Sequence, residues 1–177
     1  MQLVIAKTKE QLASVEALYL VAFPPSERKP FSLIQKKVGE GSMEILSMEE
    51  NGRFLGLAIM ILHGDIALLD YLAVAPECRG GGIGTKTLAA LRARYPDRHL
   101  LLEIEDPDEP SDNRAERLRR REFYTRNGMT PMPYKIWLFG IKMLVLTDGA
   151  AIPFDRYHAI FGDVFSEKAA QNVRLAE

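Results

Sequence analysis

Apolar residues in the first forty positions follow two periods, one typical of a strand and one typical of helices. The run Met1–Ala6 predicts a strand. A helix is predicted next by apolar residues at helical spacing, namely Leu12, Val15, Leu18, Tyr19 and Ala22. Thr8 and Gln11 lie three residues apart ahead of it, which is the spacing of a capping box. Ser32 with Gln35 predicts the cap of a second, short helix.

Three apolar runs with turn signals between them predict an antiparallel meander. The runs cover residues 43–48, 54–62 and 66–74. Asn51-Gly52 is typical of a two-residue hairpin, and Gly64-Asp65 marks a second tight turn. Only Asp70 interrupts the apolar character of the third run.

The middle of the chain alternates between helical and strand patterns. A helix is predicted over 85–95 and a Leu-rich strand over 99–104. Because a helical crossover joins parallel strands, this strand is expected to lie parallel to the run at 66–74. The next helix is predicted to begin at a capping Asn113 and to end before Gly128.

The last third is predicted to contain a hairpin, a helix and a tail. Strands are expected over 133–139 and 141–147, around Gly140. An amphipathic helix follows over 154–164, and the residues after Ser166 are expected to be loosely held. The whole pattern predicts a mixed α/β fold with a mostly antiparallel sheet, one parallel pair and flanking helices.

The length, charge and composition of the chain indicate its domain organisation and exclude some classes of function. The chain of 177 residues is expected to form a single domain, with a core at about 1–147 and a C-terminal helix and tail over 148–177. A formal net charge of −1 argues against a nucleic-acid-binding protein, and no apolar run is long enough for a membrane span. Met1–Glu10 lacks the features of a signal peptide, so a cytoplasmic protein is expected. One cysteine and three histidines without ligand spacing predict no metal site.

Glycines crowd between the strand at 66–74 and the helix after it, in the segment Arg79-Gly80-Gly81-Gly82-Ile83-Gly84. Helix N-termini present unpaired N–H groups and a partial positive charge, and glycines let the backbone approach an anion closely. Together these features predict a diphosphate site. A P-loop does not fit, because Lys86 comes one residue late, and the spacing G-x-G-x-x-G is not met here.

Arg79, Gly82 and Gly84 form Arg-x-x-Gly-x-Gly, which resembles the coenzyme A pyrophosphate loop of the GNAT acetyltransferases. The preceding Leu72-Ala73-Val74-x-Pro and the order of elements over about 1–147 resemble the same family. The resemblance implies a GNAT fold and acetyl-CoA as cosubstrate, with pantetheine lying between the two splayed parallel strands. It implies that pantetheine pairs with the backbone of Leu72, Ala73 and Val74. It further implies that the pyrophosphate is held at Arg79 and by the amides of Gly80, Gly81, Gly82, Ile83, Gly84 and Thr85.

Three side chains are candidates for the proton transfers. The segment from Phe123 to Gly128 resembles a family segment whose Tyr protonates the departing thiolate, which implies that role for Tyr124. Leu102-Glu103-Ile104 resembles the family strand whose Glu is the base in some members, so Glu103 is the first candidate base. Asp70 is the second candidate, because it is also a carboxylate within an apolar strand. A water relay is the third alternative.

The expected reaction is direct transfer of an acetyl group to a small amine or a peptide amine in a ternary complex. Where many family members have an Asn two helical turns before the Tyr, this chain has Arg117. Arg117 and Arg119–Arg121 form a basic run, which is more often a solvated helix face than a ligand site. Two alternative functions stay open: an acyl-CoA-binding sensor without turnover, and a nucleic-acid modifier acting through the arginine run, against which the net charge argues. A homodimer formed through the closing hairpin or the last helix is also compatible with the sequence.

Overall fold

The computed structural model describes residues 1–176 of the chain. They fall into two compact units, one spanning Met1–Arg98 and the other beginning at His99. Each unit has its own sheet segment and its own helices.

The first unit is built on four antiparallel strands in the order β1-β2-β3-β4. Their bounds are β1 Gln2–Ile5, β2 Met43–Glu50, β3 Arg53–His63 and β4 Ile66–Val74. The predicted meander is therefore confirmed. Asn51 and Gly52 have φ values of 52° and 76°, the left-handed conformation that a two-residue hairpin turn requires.

Three helices pack on this sheet segment. They are α1 Lys9–Ala22, α2 Phe31–Gly39 and α3 Ile83–Arg94. The capping box at the start of α1 is confirmed, with both the Thr8 and the Gln11 side chain bonded to backbone amides. The predicted Ser32 cap is wrong, because α2 begins at Phe31 after Pro30 and has no side-chain cap. Pro30 occupies the N-cap, with φ of −53° and ψ of 128°, and its side chain has no hydrogen-bond acceptor.

Strand β3 forms the centre of the first core. Residues 57–61 are all fully buried. Since successive side chains of a strand point to opposite faces, burial of five in a row means that both faces of β3 are covered. Helix α1 contributes Val15 and Tyr19 to this core.

The second unit contains four antiparallel strands in the order β5-β7-β6-β8 and three helices. In chain order the elements are β5 His99–Glu105, α4 Arg114–Arg126, β6 Thr130–Leu138, β7 Ile141–Thr147, α5 Phe154–Val164, α6 Glu167–Ala170 and β8 Val173–Ala176. The predicted hairpin turns at Phe139-Gly140, with φ values of 48° and 87°. Tyr157, Ile160 and Phe161 of α5 are buried in the core.

Two expectations for the second unit are wrong. Residues 167–176 are not loosely held, because Ser166 caps α6 and β8 pairs with β6 over Lys135–Leu138. Asn113 does stand at the N-cap of α4, but its side chain makes no capping hydrogen bond. Its φ and ψ of −97° and 19° depart from the extended conformation that a capping side chain needs.

Candidate functional site

The glycine loop takes a conformation that only glycine adopts without strain. Gly80 and Gly82 have φ values of 82° and 71°. A Cβ at either position would meet no atom of this chain within 4 Å. The dihedral angles, rather than crowding, therefore require glycine there, and the space beside the backbone is open to a ligand.

Helix α3 begins directly at this loop. It starts at Ile83, two residues before the position predicted from the sequence, and Gly82 is its N-cap without a side-chain bond. The first hydrogen bond of the helix joins the Lys86 N–H to the Gly82 carbonyl at 3.0 Å. The N–H groups of residues 83–85 consequently have no acceptor within the helix. Ile83, the first residue of the helix, is itself buried.

These features fit the diphosphate of coenzyme A. Amides free of intrahelical partners and the positive end of the helix dipole favour an anion at this position. The Arg79 Nε donates to the Val74 carbonyl at 3.3 Å and so ties the loop to the end of β4. Gly80, Gly81, Gly82, Ile83, Gly84 and Thr85 are the residues that would hold the phosphates.

Strand β4 brings Leu72, Ala73 and Val74 to the start of this loop. They pair with residues 56–58 of β3. A Cβ at Gly56 would clash with the Ala73 carbonyl oxygen, so a glycine in the strand interior allows β3 to approach β4 closely here. On the side away from β3, the backbone of these three residues is the one that would pair with pantetheine.

Asp70 is the extra residue of a β-bulge. Ile59 pairs with Tyr71 and Met60 with Leu69, so Asp70 has no partner across the ladder. Both Asp70 carboxylate oxygens accept hydrogen bonds from the Lys29 Nζ, at 2.7 and 2.9 Å. Bulges re-aim side chains next to functional sites. Here the bulge turns the second candidate base towards the loop that joins α1 and α2.

Aromatic residues hold that loop, residues 24–30, on β4. The Tyr71 hydroxyl donates to the Glu27 carbonyl at 2.9 Å and accepts from the Lys29 N–H at 3.1 Å. The Tyr19 hydroxyl donates to the Lys29 carbonyl at 2.9 Å. The Tyr19 and Tyr71 rings pack edge-to-face with centroids 4.9 Å apart. The loop is therefore fixed beside Asp70.

In the second unit, Glu103 of β5 is bound to a buried tyrosine. The Tyr157 hydroxyl donates to Glu103 Oε1 at 2.7 Å, and Tyr157 is fully buried. A hydrogen bond to the ionised carboxylate stabilises that form, whereas partial burial of Glu103 disfavours it. The first candidate base thus has a second residue that adjusts its proton affinity.

Tyr124 of α4 keeps its proton at neutral pH. Burial raises the pKa of its hydroxyl to about 12, against a smaller lowering by the positive charge of Arg120. The Tyr124 and Phe123 rings pack edge-to-face with centroids 5.0 Å apart. A neutral phenol can donate a proton or a hydrogen bond, which is the chemistry that the resemblance implies for this residue.

The basic run on α4 is only partly a solvated face. Arg117 Nη2 lies 2.6 Å from Glu105 Oε1, and Arg120 Nη1 lies 3.2 Å from Glu105 Oε2. The Arg117 side chain is 13% exposed, and its Nε is buried without a hydrogen-bond partner. Arg117, at the position of the family Asn, therefore joins α4 to β5.

Sequence reasoning missed Lys29 and Tyr157, the partners of the two candidate bases. Each lies far along the chain from its carboxylate, with separations of 41 and 54 residues. One signal was available for each carboxylate: an acid within an apolar strand requires a partner.

Residues 1–176 contain neither a helix that could span a membrane nor a cluster of side chains that could bind a metal ion. Within residues 1–176, every helix is too short or too polar to cross a lipid bilayer. The same residues contain no cluster of three His, Cys, Asp or Glu side chains arranged to hold a metal ion.

Solved structures resemble this chain over most of its length. A GNAT-family protein from Bacteroides thetaiotaomicron is 20% identical, with a TM-score of 0.78, covering 96% of this chain and 99% of that one. A chimaeric spermidine N-acetyltransferase from Vibrio cholerae is 15% identical, with a TM-score of 0.64, covering 83% and 95%. An aminoglycoside 6′-N-acetyltransferase complexed with coenzyme A has the same identity and TM-score, covering 83% and 96%. These similarities confirm the predicted mixed α/β class and the GNAT fold.

Sequence comparison gives the family directly. A comparison with curated proteins finds no match. The Acetyltransferase (GNAT) family pattern matches residues 12–129, which include β4, the glycine loop, α3, β5 and α4. The chain therefore belongs to the GNAT acetyltransferase family.

Proposed function

We propose that this chain transfers an acetyl group from acetyl-CoA to a small primary amine by direct attack in a ternary complex. The observation that carries the proposal is the N-terminus of α3. Its first-turn amides have no acceptor in the helix, and the two left-handed glycines Gly80 and Gly82 open the backbone beside it. Acyltransferase activity is the common chemistry of the family to which the chain belongs.

In this proposal the first unit binds acetyl-CoA. The amides of residues 80–85 hold the pyrophosphate, and Arg79 fixes the loop through its bond to Val74. Backbone groups of residues 72–74 hold pantetheine as a strand would. Acetyl-CoA supplies the thioester whose acyl group is transferred.

Two proton movements complete the transfer. The amine nitrogen forms a bond to the acyl carbon, the carbon–sulfur bond breaks, and the electron pair leaves with sulfur. Tyr124 donates a proton to that thiolate; its buried hydroxyl holds the proton for this step, because its raised pKa keeps it neutral at physiological pH. Glu103 accepts the proton that the amine loses, and Asp70 or a water molecule is the alternative acceptor.

The proposed class of acceptor is inferred from proteins of similar fold. Solved structures of similar fold include N-acetyltransferases for spermidine, for aminoglycosides and for the alanine of a ribosomal protein. All of these substrates offer an amine. We therefore propose an amine of a small molecule or peptide, with no nucleic acid or membrane partner.

A second candidate function is an acyl-CoA-binding sensor without turnover. It is favoured by the Lys29–Asp70 pair, in which both oxygens of one candidate base are already bonded to a cation. The sensor would need the cradle at α3 but neither candidate base.

Thiol release from acetyl-CoA, measured against a panel of amines, separates these functions. The transferase is expected to release thiol only when an amine is present, and the amine gains one acetyl group by mass spectrometry. Initial rates with both substrates varied should give intersecting lines, because no acetyl-enzyme forms. Tight acetyl-CoA binding without amine-dependent release would favour the sensor. Absence of binding would contradict both functions.

A further inference from the structure

A surface cavity lies within the second unit, between the start of β6 and the segment after β7. Its volume is about 360 Å³, which is within the range of small-molecule sites. Its wall includes Met132, Pro133 and Tyr134 on one side and Ala150, Ala151 and Ile152 on the other. None of the lining residues carries a charge. The cavity therefore suits the apolar part of a ligand.

A wide bulge in β6 makes room for this cavity. Pro131 pairs with Leu146 and Lys135 with Leu144, so residues 132–134 face Val145 alone. Pro133 lacks the N–H that a ladder position needs, which accounts for the bulge at this point of the sequence. The Tyr134 hydroxyl donates to the Ile152 carbonyl at 2.9 Å and joins the two walls. The cavity is thus part of the folded structure rather than a gap between unrelated loops.

Aromatic contacts lead from the cavity wall to Glu103. The Tyr134 and Phe154 ring centroids are 5.9 Å apart, and those of Phe154 and Tyr157 are 6.4 Å apart. Tyr157 then donates to Glu103. Burial raises the pKa of Tyr134 to about 12, and the negative charges of Glu103 and Asp155 add to the rise. Two carboxylates are therefore within electrostatic reach of an otherwise uncharged wall.

We propose that this cavity binds the apolar body of the acceptor, and that the acceptor is a monoamine with an aryl or branched alkyl group. The inference rests on the proposed function, because it takes Glu103 as the group near which the amine reacts. Burial of a hydrocarbon group against an apolar wall is energetically favourable. Polyamines and aminoglycosides carry several cations, and those cations would lose water against lining residues that are themselves uncharged. They are therefore expected to be poor substrates, although proteins of similar fold acetylate them.

Kinetics with matched amines test the inference. Phenethylamine and isoamylamine are expected to have kcat/KM values at least tenfold above those of spermidine and kanamycin. Ala151→Trp fills the cavity from an exposed position and should lower kcat/KM for phenethylamine tenfold or more. It should leave the value for ethylamine, which has no large apolar body, within twofold. Ala13→Trp, at an exposed position of α1, is the control and should change neither value.

A binding measurement keeps this inference separate from the proposed transfer. In protein labelled with ¹³C at methionine methyl groups, phenethylamine should shift the Met132 signal and leave that of the fully buried Met43 unchanged. A shift of Met132 without any acetylation would support the cavity and contradict the transfer. Spermidine turned over faster than phenethylamine, or a Met132 signal that does not respond, would overturn the inference.

Discussion

Replacing Tyr157 with phenylalanine tests whether Glu103 is the base. The substitution removes only a hydroxyl, which donates to Glu103 Oε1 at 2.7 Å from a fully buried position. The ionised carboxylate loses a donor, so its protonated form becomes relatively more stable. We therefore expect the acidic limb of the pH profile of kcat/KM to move to higher pH.

The size of the shift follows from the bond. A hydrogen bond to a charged group contributes about 1.5–3 kcal/mol. Since one pH unit corresponds to about 1.4 kcal/mol, the limb should move by roughly one to two units. Above the new limb, the rate should approach that of the unmodified enzyme, because a base that is ionised is available in both proteins.

The control is a second tyrosine that donates to a carboxylate. The Tyr95 hydroxyl donates to Glu44 Oε2 at 2.8 Å in the first unit. Tyr95→Phe removes a comparable bond from a carboxylate that has no proposed role in catalysis. It should leave the pH profile unchanged. The reasoning is refuted if Tyr157→Phe is folded and its acidic limb lies within about 0.3 units of the unmodified enzyme.

Two further substitutions in α4, one of them also combined with Glu105→Gln in β5, give four measurable outcomes. Tyr124→Phe is expected to lower kcat by about 10²–10⁴ while the Kd for acetyl-CoA stays within about twofold, and an unchanged kcat would exclude Tyr124 as the acid. The neutral Tyr124 hydroxyl is favoured in the folded protein, where its pKa is about 12, over the unfolded chain, where it is about 10. This contribution to the free energy of unfolding is fully present below about pH 10 and is lost as the pH rises through about 12. The stability gap between the unmodified protein and Tyr124→Phe, measured by urea unfolding, should therefore shrink by about 2–3 kcal/mol between pH 9 and 12, and a constant gap would contradict this. Arg117→Asn leaves Glu105, which is 8% exposed, without its nearest cation. The substitution should lower the free energy of unfolding, measured with urea, by about 3 kcal/mol. Adding Glu105→Gln should recover part of that loss, and a loss below about 1 kcal/mol would show that the pair is not structurally important.

Local signals account for most of what could be predicted from the sequence. Asn51-Gly52 specified its turn because few residues adopt left-handed angles without strain. The glycine loop was predictable for the same reason, since its conformation is a property of the residues themselves. Apolar periodicity located the long helices because their burial repeats every three or four residues.

Features that depend on distant partners could not be predicted. Strand β8 has four residues, and it forms because β6 offers an open edge and because the Phe139 N–H bonds to the Asn172 carbonyl at 2.9 Å. No pattern within Val173–Ala176 carries that information. The Lys29–Asp70 and Tyr157–Glu103 bonds are similar, because each depends on the fold to bring together residues from different elements.

The alanine substitution of Gly82 tests the cradle at α3 itself. Gly82 and Gly52 both have positive φ, 71° and 76°, and a Cβ at either would meet nothing within 4 Å. Alanine should therefore strain both backbones by about 1–2 kcal/mol. Only the methyl group at residue 82 would lie beside the amides of the first turn. Gly52→Ala thus provides a matched control for strain alone.

Calorimetric titration of acetyl-CoA into the unmodified protein, Gly82→Ala and Gly52→Ala is the most direct measurement. We expect Gly82→Ala to weaken the Kd about tenfold or more, a loss of about 1.4 kcal/mol, and Gly52→Ala to leave it unchanged. Acetyl-pantetheine, which lacks the diphosphate, should bind weakly and equally to all three proteins. If acetyl-CoA bound Gly82→Ala as tightly as the unmodified protein, or gave no heat with any of them, the diphosphate would not be held at the start of α3.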